Sequence, residues 1–259
     1  MIKISIITIN YNNLNGLKKT MESVFNQSWQ NIEYIVIDGG STDGSVQYIE
    51  QQQHKITYWE SKKDNGVYHA MNKGIEKATG EYLIFLNSGD HFYNDTILND
   101  YHEHIGQHDI VYFNLNVIDN DESYTKTYPK VLSFSYFVED TLPHPASFIK
   151  RKLFNDIGCY DESLKITADW KFFMDAICKC NKSYKHVNAL LSTFYFNGMS
   201  SMVENRSIIN QEKIKVLKDK YAVFFKDIDE VIKNKTQLIA LRKSRTIKLL
   251  VKLGFLNKF

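Results

Sequence analysis

The sequence predicts an α/β fold organised on a parallel sheet, and three observations carry that prediction. Four short runs rich in β-branched and aromatic residues recur within the first ninety positions, helical patterns separate them, and polar residues gather where the runs end. Strands covered on both faces read as near-continuous apolar sequence, as Lys3–Ile9, Ile32–Asp38, Ile56–Glu60 and Tyr82–Asn87 do.

The elements follow in order. Leu14, Leu17, Met21 and Val24 put one apolar stripe on a helix after the first strand. Ser41-Thr42-Asp43 offers a cap for a second helix over Ser45–Gln52, with Val46 and Ile49 turned inward. Asn65 precedes a third helix carrying Val67, Met71 and Ile75, and Gly80 closes the connection. Such alternation demands parallel strands and right-handed crossovers. Beyond Asp90 the pattern changes to a polar helix over Thr96–Gln107, then strands over Asp109–Ile118 and Tyr124–Tyr128 around a polar turn. The expected organisation is a nucleotide-binding half over 1–110, a second half of the same domain over 111–220, and a basic helical tail over 221–259.

Composition narrows the classes. A 259-residue chain with 43% apolar and 14% aromatic residues can build a core and is not a disordered chain. With 12 Gly and 3 Pro it is neither collagen-like nor of low complexity. The net charge of +2 does not mark a nucleic-acid binder. Cys159, Cys178 and Cys180 make no disulfide scaffold, which suits a reducing cytoplasm, and Cys178-Lys179-Cys180 lacks the further ligands of a zinc site. The opening residues lack signal-peptide features, and no apolar window of ~18 residues predicts a membrane span. His102, His104 and His108 invite a metal reading, since positions four apart share a helix face, but no carboxylate is arranged as in H-E-x-x-H and the helix reads as solvent-facing.

The polar residues converge. Asn10, Asp38, Glu60-Ser61 and Asn87-Ser88-Gly89-Asp90 all end strands, and open α/β sheets bind ligands outside those carboxyl ends. A nucleotide-type pocket is implied. Thr8-Ile9-Asn10-Tyr11-Asn12-Asn13 is no dinucleotide fingerprint, and no phosphate-binding P-loop occurs. Asp38 can accept from a base N–H, and Asp90 can hold a divalent cation alongside substrate phosphates.

Ile6–Asn12 and Val36–Gly44 resemble the donor-binding opening of family 2 glycosyltransferases, enzymes of the GT-A fold. Asp64–Gly74, reading DNGVYHAMNKG, and Ala78–Asp90 resemble bacterial members that assemble surface polysaccharides, including the colanic-acid type. The likeness covers residues 1–200. It implies a Rossmann-like sheet followed by an acceptor-binding α+β part. The implied reaction is inverting transfer of a sugar from a UDP- or GDP-sugar to a glycan or lipid-linked acceptor. By resemblance, Thr8, Asn10 and Asp38 line the base and ribose, Asn72 and Lys73 lie towards the nucleotide, and Asn87 and Ser88 border the donor. The family's aspartate-rich metal motif is altered: Asn87 and Gly89 replace two acidic positions, and Asp90 alone keeps a carboxylate for Mg²⁺ or Mn²⁺. Metal affinity is therefore expected to depend on the nucleotide.

His144–Arg151 resembles the acceptor-side segment, with His144 as its candidate residue, and Leu164–Phe172 resembles the catalytic stretch, with Asp169 at the position of the base. Inversion needs one base for the acceptor's proton, while a metal stabilises the departing diphosphate. Ala168 stands where the family carries another acid. The competing role for Asp169 is a helix cap.

From Val231 onward there are eight Lys and Arg and no Asp or Glu, which leaves 24 basic against 30 acidic residues before it. Leu238, Leu241, Leu249, Val251, Leu253, Phe255 and Leu256 interleave with these charges. Such a helix reads either as an element for an anionic membrane, peripheral on the inner face of the cytoplasmic membrane, or as a docking or capping helix. Two other functions compete with the transferase. A sugar-nucleotide nucleotidyltransferase wants a basic glycine-rich opening, and Asn10–Gly16 contains no basic residue. A non-catalytic nucleotide- or carbohydrate-binding protein would have Asp90 and Asp169 dispensable.

Overall fold

The expected parallel core is present. In a computed structural model, which describes residues 2–120, 122–196 and 198–257, the first part runs β1 (Ile4–Asn10), α1 (Leu14–Phe25), β2 (Ile32–Asp38), α2 (Ser45–Gln52), β3 (Tyr58–Ser61), α3 (Val67–Lys77) and β4 (Tyr82–Phe85). Every residue of β1 and β4 is buried, as strands covered on both faces require. β1 pairs in parallel with β2 and β4, and β2 with β3. Gly74 lets α3 lie directly on β1, because a Cβ there would stand 2.5 Å from Ile7 Cγ2.

The second part mixes directions. It comprises β5 (His91–Phe92), α4 (Ile97–Tyr101), β6 (Ile110–Asp119), β7 (Glu122–Lys126), α5 (Phe134–Glu139), β8 (Ser147–Lys150), α6 (Lys152–Asp156), α7 (Ala168–Met174) and β9 (Tyr184–Tyr195). The sheet order is β3-β2-β1-β4-β8-β6-β9-β5, with β7 paired to β6, so one sheet continues across residue 110. α8 (Arg206–Lys220), α9 (Ala222–Lys243) and α10 (Arg245–Lys252) complete the chain. One compact unit ends at Glu212, and a second comprises Lys213–Phe259.

Several boundaries move. The third strand begins at Tyr58 rather than Ile56, because a 3₁₀ turn over Gln53–Lys55 delays the chain. The helix expected over Thr96–Gln107 is α4 and a 3₁₀ turn, ended by extended Ile105 and by Gly106 at φ +119°. His102 there stacks on Trp29 at 4.3 Å. Asp43 serves both neighbouring helices: Oδ2 accepts from Leu14 N at 2.8 Å, and Oδ1 accepts from Ser45 N at 3.1 Å. The cap position of α2 itself is Gly44, at φ +96°.

At the amino-terminal end of β2, Glu33 is a buried structural acid. It accepts from Ser5 Oγ at 2.5 Å, Thr79 N at 2.7 Å, Thr79 Oγ1 at 2.7 Å and Lys3 Nζ at 3.1 Å. Burial pushes its pKa up, and these donors outweigh that and hold it at about 2.

Candidate active site

Strand register brings the first group together. Asn10 lies opposite Asp38, and Asp38 opposite Ser61, so three parallel strands end on one line. Asp38 has no exposed surface. Its Oδ1 accepts from Asn10 Nδ2 at 2.8 Å and Ser41 Oγ at 2.6 Å, and its Oδ2 from Ser61 Oγ at 2.6 Å, Ser41 N at 2.8 Å and Gly40 N at 3.1 Å. Burial alone would raise its pKa, but the hydroxyl and amide donors keep it below the usual carboxylate range. All of the acceptor capacity of Asp38 is engaged within the chain. Asn10 differs, since its Oδ1 is buried without a partner.

Thr8 lies deeper, fully buried, with its hydroxyl 3.0 Å from Tyr34 Oη. It packs beneath the strand ends. Above them stands a residue that the sequence reading gave no role. A Cβ on Gly39 would meet Asp64 Oδ2 at 2.6 Å and Tyr11 Cδ2 at 3.2 Å, so the missing side chain makes room for that carboxylate and ring. Tyr11 is 67% exposed.

The turn after β4 carries the second group. Thr20 Oγ1, from α1, lies 2.6 Å from the Asp90 carbonyl and accepts from Gly89 N at 3.0 Å. Ser88 is held through its carbonyl, which accepts from Asn13 Nδ2 at 2.9 Å. The Asp90 carboxylate is buried, and no partner for it exists among the described residues; burial pushes its pKa up to about 8. Asn87 Oδ1, in the same turn, is also buried without a partner. An unengaged carboxylate and an unengaged amide oxygen fit a hard divalent cation that draws its other ligands from phosphate and water. Among the described residues no group of three or more His, Cys, Asp or Glu gathers.

On α3, Asn72 and Lys73 are tied to protein partners. Asn72 Nδ2 donates to the Tyr160 carbonyl at 2.9 Å and to Glu162 Oε1 at 2.8 Å, and its Oδ1 accepts from Tyr160 N at 3.0 Å. Lys73 Nζ pairs with Glu60 Oε1 at 2.7 Å, which lowers the pKa of Glu60. Both residues are engaged within the chain.

Asp169 occupies the first turn of α7 and does not cap it. Glu212, from α8, holds the segment that leads into α7: Oε1 accepts from Lys165 N at 2.6 Å, and Oε2 from Thr167 Oγ1 at 2.9 Å, Thr167 N at 3.1 Å and Ile166 N at 3.2 Å. Asp169 Oδ1 instead accepts from Tyr68 Oη at 2.7 Å. His144 is buried, stacked on Phe85 at 4.6 Å, with Nε2 2.8 Å from Tyr160 Oη. Burial holds its imidazole below the ordinary pKa despite the charge of Asp169. Tyr68 and Glu212 escaped the sequence reading.

Residues 5–161 match the family described as Glycosyl transferase family 2. The chain belongs to that family. A glycosyltransferase of Mycobacterium tuberculosis (strain CDC 1551 / Oshkosh), MT1564, is 33% identical over 210 residues, covering 79% of each chain. The PGL/p-HBAD biosynthesis glycosyltransferase of Mycobacterium bovis BCG is 26% identical over 216 residues, covering 80% of this chain and 82% of its own. Among solved structures, TarS residues 1–349 of S. aureus with UDP-GlcNAc matches with a TM-score of 0.65 at 20% identity, over 84% of this chain and 67% of that one. The mannosyltransferase PcManGT of Pyrobaculum calidifontis, with GDP-Man and Mn²⁺, matches with a TM-score of 0.58 at 13% identity, over 98% and 79%. The fold is that of GT-A glycosyltransferases, and the family-2 chain is a transferase.

Proposed function

We propose that this glycosyltransferase inverts the anomeric centre of a UDP- or GDP-sugar as it transfers the sugar to a glycan or lipid-linked acceptor in surface-polysaccharide assembly. One observation supports this most: Asp169 makes no cap bond to α7 and, among the described residues, pairs with no Lys or Arg. A carboxylate so placed can accept the acceptor hydroxyl's proton. The donor's base would lie at the ends of β1 and β2, against Asn10 Oδ1, Asp64 and Tyr11, with Asp38 fixing the Gly39–Ser41 turn and Thr8 supporting it from below. The Asn87–Asp90 turn would border the diphosphate. Lys73 would face it on exchanging Glu60 for phosphate, and His144 would stand behind the acceptor side.

Asp90 would hold Mg²⁺ or Mn²⁺, with Asn87 Oδ1 beside it. When bound, such an ion stabilises charge on a leaving diphosphate. TarS with UDP-GlcNAc and PcManGT with GDP-Man and Mn²⁺ support this class of donor and ion. The test is binding of UDP and GDP with and without Mn²⁺, followed by NMR of the anomeric configuration of the product. Metal-strengthened binding and an inverted product are expected; retention of configuration would overturn the mechanism.

We also propose that the basic tail rests on an anionic membrane from the cytoplasmic side. Among the described residues no helix is long and apolar enough to cross a membrane. Within the second unit α10 carries Arg245, Lys248 and Lys252 along one side, with Ile247, Leu250 and Val251 on the other. Leu249, Leu253, Phe255 and Leu256 are exposed. Lys258 lies outside the described residues, as does the side chain of Lys235.

A further inference from the structure

Tyr68 reaches Asp169 across 101 positions of sequence and is buried. Its oxygen lies 2.7 Å from Asp169 Oδ1 and 2.6 Å from the Ile166 carbonyl, and a phenol has one proton to give. With Asp169 ionised, the carboxylate is the stronger acceptor. With Asp169 protonated, the same hydroxyl can turn to Ile166, so no partner is lost inside the protein. We infer that Tyr68 is the positioning residue of the proposed base: its hydroxyl engages Oδ1, leaves Oδ2 to take the acceptor's proton, and sets the pH at which Asp169 becomes competent.

The inference rests on Asp169 being the base. The groups facing that carboxylate from other elements are Tyr68 on α3, His144 before β8, and Tyr160 after α6. Burial keeps both phenols protonated and the imidazole neutral. On its own segment, Lys171 is engaged by Asp175 at 3.1 Å and Asp161 at 3.9 Å. The Ala168 and Asp169 amides face the Tyr68 oxygen and complete its surroundings. Among these, Tyr68 is the group that donates a side-chain hydrogen bond to the Asp169 carboxylate. No proton leaves Tyr68 in the step: the acceptor O–H breaks, its proton passes to Oδ2, and the acceptor oxygen takes the sugar as the nucleoside diphosphate departs.

The decisive measurement is a ¹³C NMR titration of the Asp169 carboxyl in the full chain, assigned by its loss in Asp169→Asn. Tyr68→Phe keeps the ring and removes the donor, so the Asp169 midpoint should rise by about one pH unit. Replacing Tyr68 with 3-fluorotyrosine, a more acidic phenol, keeps the shape and should move the midpoint down. This second substitution decides the matter if the phenylalanine variant fails to fold. A midpoint unmoved in either folded variant overturns the role of Tyr68. Turnover of a UDP- or GDP-sugar retained in Asp169→Asn overturns the base assignment instead, and the two failures are read from different experiments.

Discussion

Glu212 anchors the segment that leads into the helix on which Asp169 stands, through its contacts of 2.9 Å and 3.1 Å with the Thr167 hydroxyl and amide. Asp169 itself makes no cap bond to α7, and its Oδ1 accepts from Tyr68 instead. This separates two roles that the sequence alone leaves tangled.

Asp169→Asn is expected to leave the melting temperature within a degree or two of wild type, since Asp169 makes no cap bond to α7. Turnover should fall roughly 10²–10⁴-fold, the range for loss of a general base. Melting and transfer rate measured on one preparation check both. A cap role predicts that both barely change, because Asn caps as well as Asp.

Glu212→Ala should do the opposite to stability. It strips three backbone amides and one hydroxyl of their acceptor. A loss of about 1–3 kcal/mol is expected from denaturant unfolding, as for donors left without an acceptor. The transfer rate should also fall, because the loop carrying Asp169 loses its anchor.

Much of the cluster at the strand ends was legible in the sequence, and little of the setting of Asp169 was. Asn10 and Asp38 end two strands whose apolar runs declare themselves, and the register of parallel neighbours then brings them together. Asp64 was visible only as part of a motif, since its place over Gly39 depends on how the loop after β3 folds back. Tyr68 sits on the stripe of α3 beside Met71 and Ile75, where an aromatic reads as core. Glu212 lies in a polar helix and reads as a solvated charge. Both act through contacts distant in sequence, which leave no local periodicity.

Gly39→Ala tests the room left for Asp64. The added methyl displaces a carboxylate 2.6 Å away and presses on Tyr11. Nucleotide affinity should weaken about tenfold, equivalent to 1.4 kcal/mol, with the fold unchanged. Calorimetric titration with UDP and GDP measures it.

Acid should weaken the fold through Glu33. Its folded pKa of about 2 lies below the unfolded value of 4.5, so the native state holds fewer protons between those values. The stabilisation is complete above pH 4.5 and fades as pH falls towards 2. About 2–3 kcal/mol should disappear over that window in wild type, and Glu33→Gln should lack this part of the dependence. Urea unfolding across pH checks it.

The tail is testable in the full chain. Lys248→Glu with Lys252→Glu should abolish sedimentation with phosphatidylglycerol vesicles, and wild-type binding should weaken with salt. Equal binding to neutral phosphatidylcholine vesicles would assign the tail elsewhere.

The two-residue strand β5, directly after Asp90, pairs with β9, the last strand to be synthesised. On the ribosome, the Asn87–Asp90 turn therefore emerges long before the strand that fixes its far side. Pairing between such distant segments is a slow step in folding. The donor pocket then matures last, and a nascent chain stalled before β9 would carry an almost complete parallel core yet no settled grip on a nucleotide.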